Sequence, residues 1–360
     1  MFRLVCGVLF AVLQIGPIAP LAFAAEPSAG STQKKQRSFK ATAPKAASKT
    51  NAARGRVVKV MRAKRSRHVI VVRRPASVVS AGVLAGLNLA ANPLALTSSA
   101  ALIVDANNSE VLFERNANAV LPIASLTKLM TAVVVMDAKM DMAEPIIVID
   151  DDIDRLKHTT SRLLVGSRLS RTNMLHIALM SSENRAASAL GRNYPGGLSA
   201  FVAAMNAKAL MLGMTGTRYV EPTGLSSENV STASDLAKLV MAAHEYPLIR
   251  KFSTDDIHTV SPGGPKLTYR NSNRLITNNS WHIGLQKTGF INEAGRCMVM
   301  QAVIGGRKVV MVILDATGNQ DRVADAGRMR TWLKNVKLPD MTRMAVGGMS
   351  SLPRTMRSRD

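Results

Sequence analysis

Apolar residues fill every position from Leu129 to Met136 except Thr131, within the stretch 122–140, PIASLTKLMTAVVVMDAKM. A run that is apolar nearly all round predicts a helix buried on most sides rather than an amphipathic surface helix. Its first turn carries Ser125 and Lys128, three residues apart and therefore on one face, within reach of each other. Upstream, two short apolar runs at 100–104 and 110–114 flank Asp105-Ala106-Asn107-Asn108-Ser109, a β-hairpin pattern. Downstream, a β-branched run at 146–149 leads into an acidic and polar loop reaching Ser161. The spacing of Leu169, Leu175, Leu179 and Met180 then predicts a helix over 168–190. After a break at Tyr194-Pro195-Gly196-Gly197 comes a helix over 198–212, capped by Gly213. A Gly/Pro/Ser loop at 222–229 precedes a helix that starts at Ser231 or Thr232 and ends near His244. Strand patterns return at 283–288, 296–304 and 308–314, the last two around Gly305-Gly306, and a closing helix covers 320–333. Strands at both ends with helices between them predict an α+β fold. Its mainly antiparallel sheet is flanked by helices, with an inserted helical subdomain.

The two ends follow other rules. Residues 1–25 have one basic residue, Arg3, an apolar core from Leu4 to about Val12, and small residues around Ala22 and Ala24. This is a secretory signal pattern with cleavage after Ala24 or Ala25, so the expected location is the periplasm. Cys6 would leave with the signal, and Cys297 alone permits neither a disulfide framework nor a cysteine zinc site within one chain. Residues 26–75 are Lys/Arg/Ala/Ser-rich and supply most of the net charge of +23. Such a segment buries too little apolar surface to offset its ordering entropy, which predicts disorder. Export turns the expected partner of this charge from nucleic acid to an anionic membrane or wall polymer, with a plain solvated linker as the alternative. The apolar run at 78–89 is too short and too interrupted to span a membrane. The expected division is therefore a signal peptide at 1–25, a basic linker at 26–97, a globular domain at 98–334 and a polar basic tail at 335–360.

Chemistry enters with Ser125 and Lys128. The amine can take the proton that the hydroxyl must lose to become a nucleophile. A helix N-terminus adds free N–H groups and a positive dipole end for a developing oxyanion. The spacing alone says little, since Ser31 and Lys34 share it in a polar tract. Two further motifs follow: Ser182-Glu183-Asn184, a Ser-x-Asn, and Lys287-Thr288-Gly289 at the end of a strand. In isolation Ser182 reads as a capping serine, Asn184 as a solvated side chain and Lys287-Thr288 as a strand end. A second Ser-x-Asn, Ser227 to Asn229, lies in the Gly/Pro loop and reads as a loop and helix-start signal. No histidine spacing suits zinc, so neither a metal nor another cofactor is expected. In this order the three motifs resemble the set found in penicillin-binding proteins and class A β-lactamases.

The phrases PIASLTKLMTA, ALMSSENRAASALG, YPGG, TRYVEPTGLSSENVST and KTGFINEAGRC resemble the periplasmic D-alanyl-D-alanine endopeptidases. These are the penicillin-binding protein 7/8 group of the D-alanyl-D-alanine carboxypeptidase family. The resemblance covers roughly 100–333. It implies that Ser125 is acylated by the peptide carbonyl after a D-alanine of a peptidoglycan stem peptide, and by β-lactams. By the same resemblance Lys128 is the base, with an amine pushed toward neutrality by burial and by the charge of Lys287. Ser182 would carry protons to the leaving amine and Asn184 would orient Lys128 and the substrate amide. Lys287 and Thr288 would bind the substrate carboxylate, and Gly289 would let the substrate lie on the strand edge. The N–H groups of Ser125 and Phe290 would form the oxyanion hole. A class A β-lactamase needs a glutamate followed three and four residues later by Leu and Asn; Glu221-Pro222-Thr223-Gly224-Leu225 departs from that at both positions. D,D-carboxypeptidase activity is the closer alternative, and a non-catalytic wall-binding protein the more distant one.

Overall fold

A computed structural model of the chain describes residues 79–336. The expected signal peptide, most of the basic linker and most of the tail lie outside the described residues. In chain order the helices are α1 (Ala81–Leu84), α2 (Thr127–Asp137), α3 (Arg171–Met180), α4 (Asn184–Arg192), α5 (Gly197–Met211), α6 (Ala233–His244), α7 (Pro247–Thr254) and α8 (Asn319–Asn335). The strands are β1 (Ala100–Asp105), β2 (Val111–Arg115), β3 (Leu121–Pro122), β4 (Pro145–Ile147), β5 (Arg168–Ser170), β6 (Val230–Ser231), β7 (Ile257–Val260), β8 (Leu267–Arg270), β9 (His282–Ile291), β10 (Gly295–Ile304) and β11 (Arg307–Ala316).

Five of the strands form one antiparallel sheet in the order β2-β1-β11-β10-β9. Both faces of its centre are covered, which is why β10 and β11 read as nearly unbroken apolar runs. Successive side chains point to opposite faces. Ala100, Leu102, Val104, Val310, Val312 and Leu314 join the core with the helices α2 to α6. Ala101, Ile103, Met298, Met300, Met311 and Ile313 pack with Ala326, Met329 and Leu333 of α8. Along the edge strand β9 the same alternation puts Lys287 and Gly289 with Leu285 and Ile291, on the side of α2. The reactive motifs thus meet where the sheet edge touches the helical layer.

Four expectations change. The helix assigned to 122–140 is shorter: Ser125 sits on a 3-10 turn, Ala124–Leu126, and α2 follows it. The helix assigned to 168–190 is a short strand and two helices, β5, α3 and α4, because the chain turns between Met180 and Asn184. The elements α7, β7 and β8 were not expected. Finally, residues 79–97 pack on the domain instead of extending the linker. Arg115 donates to the carbonyls of Asn88 and Ala90 at 2.9 and 3.3 Å, and Asn116 to those of Leu87 and Ser99 at 2.8 and 2.6 Å. Side chains gripping a backbone leave no periodicity in the segment that is gripped.

Candidate active site

The turn bearing Ser125 is strained and clamped. Ala124 has φ +47°, a conformation that costs a residue with a Cβ on the order of 1–2 kcal/mol and persists only where its surroundings impose it. Here the clamp is the loop 221–229. Its Gly224, at φ +81°, lies so close that an added Cβ would stand 1.9 Å from the Ala124 carbonyl oxygen and 2.7 Å from the Ser125 nitrogen. Ile123 donates its N–H to the Asn229 carbonyl at 3.1 Å, and Thr127 Oγ1 donates to the Ala124 carbonyl at 2.8 Å.

Lys128, one turn on, is fully buried. Its Nζ lies 2.9 Å from Ser125 Oγ, 2.7 Å from Asn184 Oδ1 and 2.6 Å from the carbonyl oxygen of Thr223. The last two atoms can only accept. A neutral amine has two N–H groups and one lone pair, so donating to both acceptors leaves the lone pair for the Ser125 hydroxyl proton. Burial pushes the Lys128 pKa down to about 8, against the opposing pull of Glu221, Glu183 and Asp154. The direction expected of Lys128 therefore holds, with desolvation as its cause. Lys287 carries the effect of the paired charges: burial first, then Lys128 and Arg322, hold its pKa well below the lysine range.

Ser182 owes its position to the break between α3 and α4. Ser181 ends α3 by donating to the Ile177 carbonyl at 2.8 Å, Ser182 takes φ +66°, and the Glu183 carboxylate caps α4. This points the Ser182 hydroxyl at Lys287, whose Nζ is 2.9 Å away and also donates to the Thr288 carbonyl at 2.8 Å. Thus each serine has its own lysine. Thr288 Oγ1 donates to Ser272 Oγ at 2.8 Å. A Cβ on Gly289 would approach the Ser125 nitrogen to 3.0 Å and the Ile123 carbonyl oxygen to 3.1 Å. The glycine admits the serine turn against β9, a nearer reason for its presence than room for a substrate. Phe290 is half-exposed at the strand edge, under the Arg296 guanidinium.

The family model for D-alanyl-D-alanine carboxypeptidases matches residues 88–318. The chain belongs to this family. A D-alanyl-D-alanine endopeptidase of Pseudomonas aeruginosa is 52% identical over 241 residues, covering 66% of this chain and 78% of the relative. One from Escherichia coli is 48% identical over 245 residues, covering 68% and 79%. The crystal structure of the Streptomyces K15 DD-transpeptidase shares the fold at a TM-score of 0.62 and 24% identity, over 68% of this chain and 98% of that one.

Within this D-alanyl-D-alanine carboxypeptidase fold, several residues that the motifs do not mark hold the site together. Thr223 contributes through its backbone, and Ser272 lies in the loop after β8. Arg322 on α8 donates to the Cys297 carbonyl at 3.1 Å behind the Lys287 strand. Asn229, from the second SSEN tetrapeptide, is fully buried. Its Nδ2 donates to Thr127 Oγ1 at 3.1 Å and to the Glu221 carbonyl at 2.8 Å, while its Oδ1 accepts from the Val220 N–H at 2.7 Å. It touches no reactive atom; it fixes the clamp, and the repeated tetrapeptide was the available signal. Asn229→Ala is expected to lower unfolding free energy by about 2–3 kcal/mol, because buried donors and acceptors lose their partners. Urea denaturation read by tryptophan fluorescence checks this.

Proposed function

We propose that the protein is a serine D,D-peptidase that cleaves D-alanyl cross-links of peptidoglycan through an acyl-enzyme on Ser125. The observation that carries the reading is the placement of Lys128 Nζ, 2.9 Å from Ser125 Oγ with Asn184 Oδ1 and the Thr223 carbonyl as its two acceptors. Ser125 Oγ attacks the carbonyl after a D-alanine as Lys128 takes its proton. The N–H groups of Ser125 and Phe290 receive the oxyanion. The C–N bond breaks, the leaving amine takes a proton through Ser182, and water later releases the acyl group. Thr288 and Lys287 hold the carboxylate next to the scissile bond, and the free edge of β9 takes the extended peptide as an added strand.

β-Lactams acylate the same serine and leave slowly. Glu221 is the one glutamate considered for water activation, and both its oxygens are occupied. Oε1 accepts from Gly224 N at 2.6 Å and from Asn229 Nδ2 at 2.9 Å, and Oε2 from Thr223 N at 2.6 Å. A carboxylate so engaged is a loop brace rather than a general base. The peptidase works in the periplasm after loss of residues 1–25, and the charge of the basic segment 26–75 suits an anionic membrane surface or wall polymer. Among the described residues no helix is long and apolar enough to cross a membrane.

Incubation with purified cross-linked muropeptide dimers tests the reaction. Conversion of dimer to monomer is the expected result; loss of terminal D-alanine alone would assign a carboxypeptidase instead.

A further inference from the structure

Beside the reactive pair lies a cleft of about 730 Å³, most of whose lining the roles above do not use. Ser182 and Asn184 lie on its wall, and Arg162, Thr268, Tyr269 and Arg270 are among the other residues that line it. Its charge is unbalanced. Glu183, the one carboxylate on its wall, is already held by Ser161 Oγ at 2.7 Å and by the Arg185 N–H at 3.3 Å. Arg162 and Arg270 are exposed, and among the described residues neither guanidinium has an ion-pair partner. Arg162 is nevertheless positioned, stacked 4.5 Å above the centroid of the Tyr269 ring. Tyr269 is buried, yet its hydroxyl has no hydrogen-bond partner, which is costly for a buried polar atom.

We infer that this cleft binds the leaving strand of a cross-link, recognising carboxylates of an acidic peptide with Arg162 and Arg270. The inference rests on the peptidase reading and deepens it. Ser182 passes the proton to the leaving nitrogen, so that nitrogen must come within hydrogen-bond reach of a hydroxyl that also lines the cleft. Whatever is attached beyond the nitrogen then enters the cleft. Free D-alanine fills little of a cleft of about 730 Å³, whereas a second stem peptide extends along the wall that carries the arginines. Guanidinium is the group suited to planar, two-point recognition of carboxylate, and a ring stacked beneath it limits the freedom lost on binding. Arg162 and Arg270 accordingly set the preference for cross-links over free ends without touching the bond that breaks.

The test compares leaving groups on the full chain carrying Arg162→Gln with Arg270→Gln. Three substrates are used: a cross-linked dimer, the same dimer with its leaving-strand carboxylates amidated except the one next to the scissile bond, and a fluorescent penicillin, which has no leaving strand. Losing hydrogen bonds to a charged group predicts a fall of about ten-fold or more in kcat/KM on the native dimer. The amidated dimer should be cut by the native protein as slowly as the native dimer is by the variant. Penicillin acylation should be the same in both proteins. A variant that cleaves the native dimer at full rate, or that loses dimer cleavage and penicillin acylation in equal measure, overturns the subsite. A native protein that is acylated by penicillin yet cleaves no dimer overturns the endopeptidase reading, and the subsite with it.

Discussion

Lys128→Met will acylate with penicillin at least about 10³-fold more slowly than the native protein, the range seen when a positioned proton acceptor is removed. Methionine has similar length and suits a buried position, so the fold should survive and thermal unfolding should shift little. What disappears is the lone pair aimed at Ser125, because Asn184 Oδ1 and the Thr223 carbonyl accept protons and cannot replace it. The pH profile gives the same account a second signature. With a Lys128 pKa of about 8, the amine carries a proton and no lone pair below that pH. The acylation rate of the native protein should therefore rise as pH increases through about 8 and level off above it. The residual rate of the variant should lack this inflection. A native profile flat through that range, or a variant within about ten-fold of the native rate, would remove Lys128 from the base role.

Gly224→Val will be the most damaging single substitution outside the reactive groups. Gly224 holds φ +81°, and its missing Cβ is the space occupied by the Ala124 carbonyl. A β-branched side chain there meets backbone, which cannot rotate away, in a conformation that such residues avoid. Destabilisation of about 4 kcal/mol or more is expected, at the extreme of single-residue effects. Any folded fraction should also have lost acylation, because the turn carrying Ser125 and the carbonyl of Thr223 both rest on this loop. Circular dichroism melting and penicillin labelling of the soluble fraction measure the two effects. A variant with native melting and native labelling would show that the loop does not clamp the serine turn.

Much of this was legible because the relevant information is local. Apolar runs and the turns between them announced the sheet strands, and an all-round apolar run announced the buried helix α2. The three motifs placed Ser125, Lys128, Ser182, Asn184, Lys287 and Thr288 in sequence, and the fold brings all six to one edge of the sheet. What escaped was information that does not reside in side-chain pattern. Five polar residues, 181–185, separate the apolar spacing of α3 from that of α4, but polar composition alone does not mark the left-handed Ser182 among them. Thr223 acts through a carbonyl that every residue possesses. Segment 79–97 is held by Arg115 and Asn116, side chains more than a strand away along the chain. In α7 the local signal is a single residue, Pro247 at the first turn, where it suits a helix start. Beyond it β7 and β8, of four residues each, are too short for alternation to stand out.

The central claim is that Ser125 is the nucleophile. Its most direct test is peptide mapping by mass spectrometry of the purified protein after incubation with a penicillin. The account predicts one long-lived penicilloyl adduct, on the peptide containing Ser125 and at that residue. An adduct on Ser182 or another residue, or no adduct at all, would contradict it.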